Sequence, residues 1–308
     1  MSDTAITTAT AQILMVLRHP QTRPVVQSFF DPATFTASHV VHDPATKEAA
    51  VIDSVLDYDA ASGRTNYASA QQIVDYVRAQ NLHVVWQLET HAHADHLSAA
   101  PWLQEQIGGK LGIGADIVHV QDVFGKIFNA GTDFARDGSQ FNHLFKDGEN
   151  FKLGNLDCTA LHVPGHTPAD MAFVIGDAAF IGDTLFMPDY GTARADFPGG
   201  DARMLYRSIR RLLTLPPQTR LFLCHDYKAP GRDSFAWETT VGAEREHNIH
   251  VHDGVSEEDF VAMRTKRDAT LGLPNLIMPS VQVNIRGGHM PEPEDNGVSY
   301  IKIPVNRL

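Results

Sequence analysis

Apolar residues fall in short blocks along the chain, and their spacing switches between the period of a strand and that of a helix. Val40 and Val41, the turn signal Asp43-Pro44 and the run Ala49-Ala50-Val51-Ile52 predict an early β-hairpin. Ser69 with Gln72 three residues later has the form of a capping box, and Ile73, Tyr76 and Val77 follow at helical spacing. A helix is expected from there to about Gln80. His83-Val84-Val85-Trp86-Gln87-Leu88 then reads as a strand that ends at Glu89-Thr90-His91. From Asp95 to Ile107, Leu97, Ala100, Leu103 and Ile107 trace one face of a predicted helix.

The pattern recurs downstream. Cys158 to Val163 is a short predicted strand ending at Pro164-Gly165-His166, Ala178 to Ile181 ends at Gly182-Asp183, and Leu221 to Cys224 ends at His225. Each of the four predicted strands thus delivers a potential metal ligand at its C-terminal end. Met204, Leu205, Ser208, Ile209 and Leu212 mark an amphipathic helix with Asp201 as its N-cap. Strands alternating with helices over one continuous span argue α/β architecture and a single catalytic domain. From about Ser234 to Leu308 mixed helix and loop is expected, with no linker and no internal repeat.

At 308 residues the chain is long enough for one or two domains with a large apolar core. Hydrophobic residues make up 43% and charged residues 20%, so disorder is not its theme. The net charge of -12 argues against a nucleic-acid or anionic-membrane surface, which needs a concentrated positive field. Cys158 and Cys224 are the only cysteines, too few for a disulfide framework. The first sixteen residues lack the early Lys or Arg of a targeting peptide, the apolar run Ile13 to Leu17 is too short for a signal h-region, and no segment approaches a membrane span. A cytoplasmic protein is expected. The unusual count is 16 histidines.

Three of those histidines and one aspartate stand in one string, His91-Ala92-His93-Ala94-Asp95-His96, of the form H-x-H-x-D-H. Imidazole and carboxylate bind first-row metals at neutral pH without a thiolate, and this spacing crowds their donors round one point. His166 in Gly-His-Thr-Pro, Asp183 in Gly-Asp-Thr and His225 in Cys-His-Asp-Tyr would each pass alone for a loop histidine, a helix cap and a core histidine. In this order, each at a strand end, they read as one constellation.

On these residues the chain resembles the metallo-β-lactamase superfamily, which implies an αββα sandwich holding one or two metals at the sheet edge. Within it the chain is most similar to the persulfide dioxygenases. That likeness rests on Glu89 to His96, Arg194-Ala195-Asp196-Phe197, His225-Asp226-Tyr227, Glu244-Arg245-Glu246-His247-Asn248, Glu257 to Val261, Leu273-Pro274, Pro279 and Asn284. It covers nearly everything from about Gln27, leaving residues 1–25 as an N-terminal extension and residues 26–308 as the catalytic domain, with a C-terminal extension from about 234. About two extra residues stand between Asp183 and Arg194, and the Cys-Gly pair that often precedes that arginine is absent.

The resemblance implies one Fe(II) per chain held by His91, His166 and Asp183, with His93, Asp95, His96 and His225 around it. It implies glutathione persulfide and O2 as substrates, sulfite and glutathione as products, and a homodimer. A glyoxalase II-type thioester hydrolase would use the same residues for two metals, zinc in the alternative considered: His91, His93 and His166 on one, Asp95, His96 and His225 on the other, with Asp183 bridging. An exported β-lactamase and a scaffold with a dead site fit less well. Arg194 is expected to grip a glutathione carboxylate with two hydrogen bonds, and Tyr227 to offer its phenol to the peptide. Cys224 is expected to be a buried strand residue, Arg203, Arg207, Arg210 and Arg211 a solvated surface, and His247, His250 and His252 exposed loop histidines.

Overall fold

The computed structural model describes residues 3–307. Strands β1 (Val25–Asp31), β2 (Thr36–His42), β3 (Glu48–Ile52), β4 (Val55–Asp59), β5 (Arg64–Asn66), β6 (His83–Leu88), β7 (Leu97–Ser98), β8 (Lys110–Gly114) and β9 (His143–Phe145) occupy the first half. Strands β10 (Asn150–Leu153), β11 (Leu156–His162), β12 (Met171–Ile175), β13 (Ala178–Phe180), β14 (Arg220–Phe222) and β15 (Glu238–Thr240) follow. Helices α1 (Thr4–Arg18), α2 (Ala68–Ala79), α3 (Ala100–Ile107), α4 (Ile117–Ile127), α5 (Ala202–Leu212), α6 (Val241–His247), α7 (Glu257–Asp268) and α8 (Ile277–Asn284) complete the set. None is long and apolar enough to cross a membrane.

Two six-stranded sheets form, ordered β1-β2-β3-β6-β8-β9 and β10-β11-β12-β13-β14-β15, and β5-β4-β7 make a small third one. Both faces of the central strands are buried, as their near-continuous apolar runs require, with successive side chains turned to opposite layers. On β3, Ala50 and Ile52 face the other sheet while Ala49 and Val51 face helices. Phe173 and Phe180 meet Leu88 and Phe145 between the sheets. Ile73, Val74 and Leu103 of α2 and α3 cover the first sheet. Ile13 of α1, Leu205 and Ile209 of α5 and Phe260 of α7 cover the second. The layering is helix, sheet, sheet, helix, and residues 4–18 of the N-terminal extension supply part of the outermost layer.

The expected hairpin is present as β2 paired to β3, with the Asp43 carboxylate accepting from Ala45 N–H and the Thr46 hydroxyl. Asp201 caps α5 by accepting from Met204 N–H. Other expectations need correction. Ser69 does not cap α2; its N–H and hydroxyl donate to Asp57, and Asn66 takes the preceding N–H, so residues outside the helix satisfy its first amides. Residues 95–99 are not helical, because Leu97 and Ser98 pair with β4 and α3 starts only at Ala100. The C-terminal extension contributes a strand, β15, that pairs with β14. The arginines of α5 are not simply solvated: Arg203 and Arg207 pair with Glu257, Arg210 with Asp253, and Arg211 with Asp3 and Asp147.

Candidate metal centre

β6, β11, β13 and β14 end on one edge of the sandwich, and the loops that follow converge there. The loop after β6 is shaped by Asp53 at the end of β3. Its buried carboxylate accepts from Thr90 N–H (2.7 Å), from the Thr90 hydroxyl (2.9 Å) and from His93 Nε2 (3.0 Å). Glycine is required twice. Gly165 lies at φ +145°, and a Cβ there would stand 2.3 Å from the Leu205 backbone; at Gly182, φ +52°, it would strike the Thr90 hydroxyl at 2.5 Å.

The structure brings the seven predicted ligands together in two clusters, one of His91, His166 and Asp183 and one of His93, Asp95, His96 and His225, with donor atoms in each within 4.8 Å of one another. Asp183 faces both: Oδ2 is 3.6 Å from His166 Nε2 and 4.0 Å from His91 Nε2, and Oδ1 is 3.6 Å from His225 Nε2. Asp95 lies 3.0 Å from His225 Nε2, in charge contact but not aligned for a hydrogen bond.

Every imidazole is fixed through one nitrogen. His91 Nδ1 meets the Thr90 hydroxyl (3.1 Å), His96 Nδ1 the Thr36 hydroxyl (3.3 Å), and His93 Nε2 the Asp53 carboxylate. His166 and His225 donate from Nδ1 to the carbonyls of Arg194 (2.8 Å) and Phe35 (3.2 Å). The opposite nitrogens of His91, His93, His96 and His225, with Asp183 Oδ1, are buried without a hydrogen-bond partner. Buried polar atoms are seldom left so, and convergent ones with their far sides pinned are what a metal ion needs. The residues present fit a metal.

Charge is divided unevenly across the centre. Burial, then the neighbouring imidazoles, hold His91 well below the usual histidine range, and His96 falls to about 4 mainly through burial. Burial also opposes charge on His93 and His225, yet Asp53 lifts the first well above its ordinary value and Asp183 with Asp95 the second.

Three supporting residues have no role assigned by the sequence, although Glu89 and Asn284 stand among those that carry the resemblance. Asp53 could have been noticed as a charge closing an apolar strand. Glu89 accepts from the Ser98 hydroxyl (2.6 Å) and has its other oxygen 3.3 Å from His93. Asn284 in α8 donates to the carbonyls of His93 and His96 (2.8 Å each) and accepts from Ser98 N–H (2.9 Å), so the C-terminal extension clasps the ligand loop.

A cavity of about 400 Å³ opens over Asp95, His166 and Asp183. Tyr227 lines it with its ring stacked on His225 at 5.7 Å, and burial raises its phenol well above the ordinary range. Arg194 also lines it, but its fork is committed: Nε and Nη2 hold Asp196 at 2.6 and 2.8 Å, and Nη1 holds the Gly272 carbonyl. The carboxylate that Arg194 grips is the protein's own. Cys224 is buried, as expected. His250 is not an exposed loop residue: it is half-buried, and its Nδ1 accepts from Thr192 N–H.

Residues 32–225 match the metallo-beta-lactamase superfamily. A probable metallo-hydrolase of Burkholderia pseudomallei is 58% identical, over 92% of this chain and 99% of its own. Glyoxylase B2 of Dictyostelium discoideum is 44% identical over 92% of this chain and 97% of its own. Three further curated relatives, at 49% or 50% identity, are longer, and the chain spans 65% of their length. The mitochondrial persulfide dioxygenase ETHE1 of Bos taurus is 27% identical over 86% of this chain and 89% of its own. The crystal structure of ETHE1 from Myxococcus xanthus superposes with a TM-score of 0.68 at 29% identity, covering 86% of this chain and all of that one. With the sandwich, the ligand string at its edge and these relatives in agreement, the chain belongs to the metallo-beta-lactamase superfamily.

Proposed function

We propose that the protein is a persulfide dioxygenase that uses one ferrous ion per chain, held by His91, His166 and Asp183, to oxidise glutathione persulfide. The observation that carries this reading is the convergence of those three donors within 4.8 Å of one another. Two imidazoles whose far nitrogens rest on uncharged oxygens, with one carboxylate, form a compact set. Such a face of two nitrogens and one oxygen suits non-haem Fe(II) and, when the metal is bound, supplies open positions for a sulfur donor and O2. The overall change is persulfide plus O2 plus water to thiol plus sulfite plus two protons.

The chain's own groups position and screen that reaction. Thr90 and the Arg194 carbonyl fix the two rings, so their donor nitrogens are preoriented. Phe186 and Tyr227 pack edge to face beside His225 and exclude water from the floor of the cavity. Asp95, His96 and His225 lie where they can hold water and accept the protons released.

A thioester hydrolase with both clusters metal-loaded is the second reading, favoured by the likeness to glyoxylase B2. Metal analysis with parallel assays separates the two. About one iron per chain, O2 uptake and sulfite from glutathione persulfide are expected, with S-lactoylglutathione almost inert. Two zinc ions per chain with thioester hydrolysis and no O2 uptake would overturn the dioxygenase.

A further inference from the structure

The cavity over the metal centre is lined by three arginines, and they differ in what their charge already does. The Arg194 guanidinium is spent on Asp196 and Gly272. Arg264 is fully buried; Nε and Nη2 hold Asp268 at 2.8 and 2.6 Å, and Nη1 holds the Thr192 carbonyl at 3.0 Å. Arg267 is exposed, and among the described residues it has neither a carboxylate within 4.0 Å nor a side-chain hydrogen bond. Two of the three cations are cancelled by their own partners. One positive charge is left over at the rim.

Among the described residues no carboxylate pairs with Arg267, and that of its sequence neighbour Asp268 is held by Arg264. The near titratable group is His250, which burial and then the charges of Arg264 and Arg267 depress to about 4. The cavity's carboxylates, Asp95 and Asp183, belong to the metal-centre floor. A cation in the last turn of α7 is favourable for the helix dipole whatever it binds, but Lys266 occupies that turn too and does not line this cavity. Helix stability accounts for a basic pair there and not for placing its arginine at the mouth.

We infer that Arg267 is the anchor for a carboxylate of the incoming molecule and makes the site selective for carboxylate-bearing low-molecular-weight persulfides. The inference rests on the reading of the site as one that acts on a small persulfide. A molecule with sulfur at one end and a carboxylate at the other would span the cavity from the ligand loops to α7. Its carboxylate needs an uncommitted planar fork for bidentate pairing, and Arg267 offers the free one. Arg194, the residue that sequence singled out, then braces the Gly272 turn that forms part of the same rim.

Steady-state kinetics of Arg267→Gln, with glutathione persulfide and with cysteamine persulfide, which has an ammonium and no carboxylate, tests this. KM for the first should rise about ten-fold with kcat changed less than two-fold, and KM for the second should stay level or fall. Arg267→Lys should recover part of the loss, because it restores charge without the fork. An equal effect on both substrates, or none, would overturn the anchor. Calorimetric titration with glutathione keeps this apart from the function itself. Binding about ten-fold weaker in Arg267→Gln without any dioxygenase activity in the parent would retain the anchor and refute the reaction. Dioxygenase activity with unaltered glutathione binding, or no binding to the parent protein, would refute the anchor.

Discussion

The two ligand clusters are a few ångströms apart and built from the same residue types, yet their support differs. On the side of His91, His166 and Asp183 the imidazoles lean on a hydroxyl and a backbone carbonyl. On the side of His93, Asp95, His96 and His225, His96 and His225 rest likewise on the Thr36 hydroxyl and the Phe35 carbonyl, but carboxylates crowd the rings: Asp53 and Glu89 hold His93, and Asp95 lies 3.0 Å from His225 and 3.5 Å from His96. Burial and then the neighbouring imidazoles keep His91 uncharged and free to give its lone pair to a cation. Carboxylate support favours the imidazolium and builds internal ion pairs that a metal would have to break. Environment, more than ligand identity, distinguishes the two halves of one seven-residue set.

That contrast can be broken most forcefully at Asp183. Asp183→Ala should abolish metal retention and turnover together, read by metal analysis and O2 uptake; a variant that keeps its iron would place the ion elsewhere. Asn284→Ala should weaken metal affinity by about ten-fold in a chelator competition, since it frees the carbonyls of His93 and His96 that shape the loop. Unchanged affinity would reduce the clasp to packing. Asp95→Asn keeps the shape and removes the charge of the second cluster, so it should leave about one iron per chain. Loss of metal equal to that of Asp183→Ala would make the clusters a single dinuclear site.

The smallest effect concerns a carboxylate outside the centre. Glu244 is buried against the neutral amide of Asn248, and burial pushes it up to about 8. Its folded value lies above the unfolded one, so its stability contribution is full below the ordinary glutamate range and is lost as pH rises through about 8. Glu244→Gln should therefore gain a few degrees of Tm over the parent at pH 8.5 and little at pH 4.5. Parallel curves of Tm against pH would show that the proton is not held.

Much of the centre was legible because His91, His166, Asp183 and His225 each follow an apolar run and His93, Asp95 and His96 stand in one string with the first, local signals that survive folding. What was not legible is long-range. Asn284 stands among the residues that carry the family resemblance, but nothing local gives it a role until β7 and the ligand loop are folded against it. Ser69 has the right neighbours for a cap, but Asp57 on an adjacent strand competes better for its amide. The helical periodicity from Asp95 is real in sequence, but pairing of Leu97 and Ser98 with β4 takes those residues first. Arg194 has the chemistry to bind a substrate carboxylate, and Asp196, two residues away, already occupies that chemistry.

The Asn284 clasp also has a temporal side. The H-x-H-x-D-H loop emerges early in synthesis, whereas the amide that ties its two carbonyls arrives almost two hundred residues later, when α8 has been made and docked. A nascent chain can display every one of its metal donors before it has the part that shapes them, so firm capture of the ion should be among the last events of maturation.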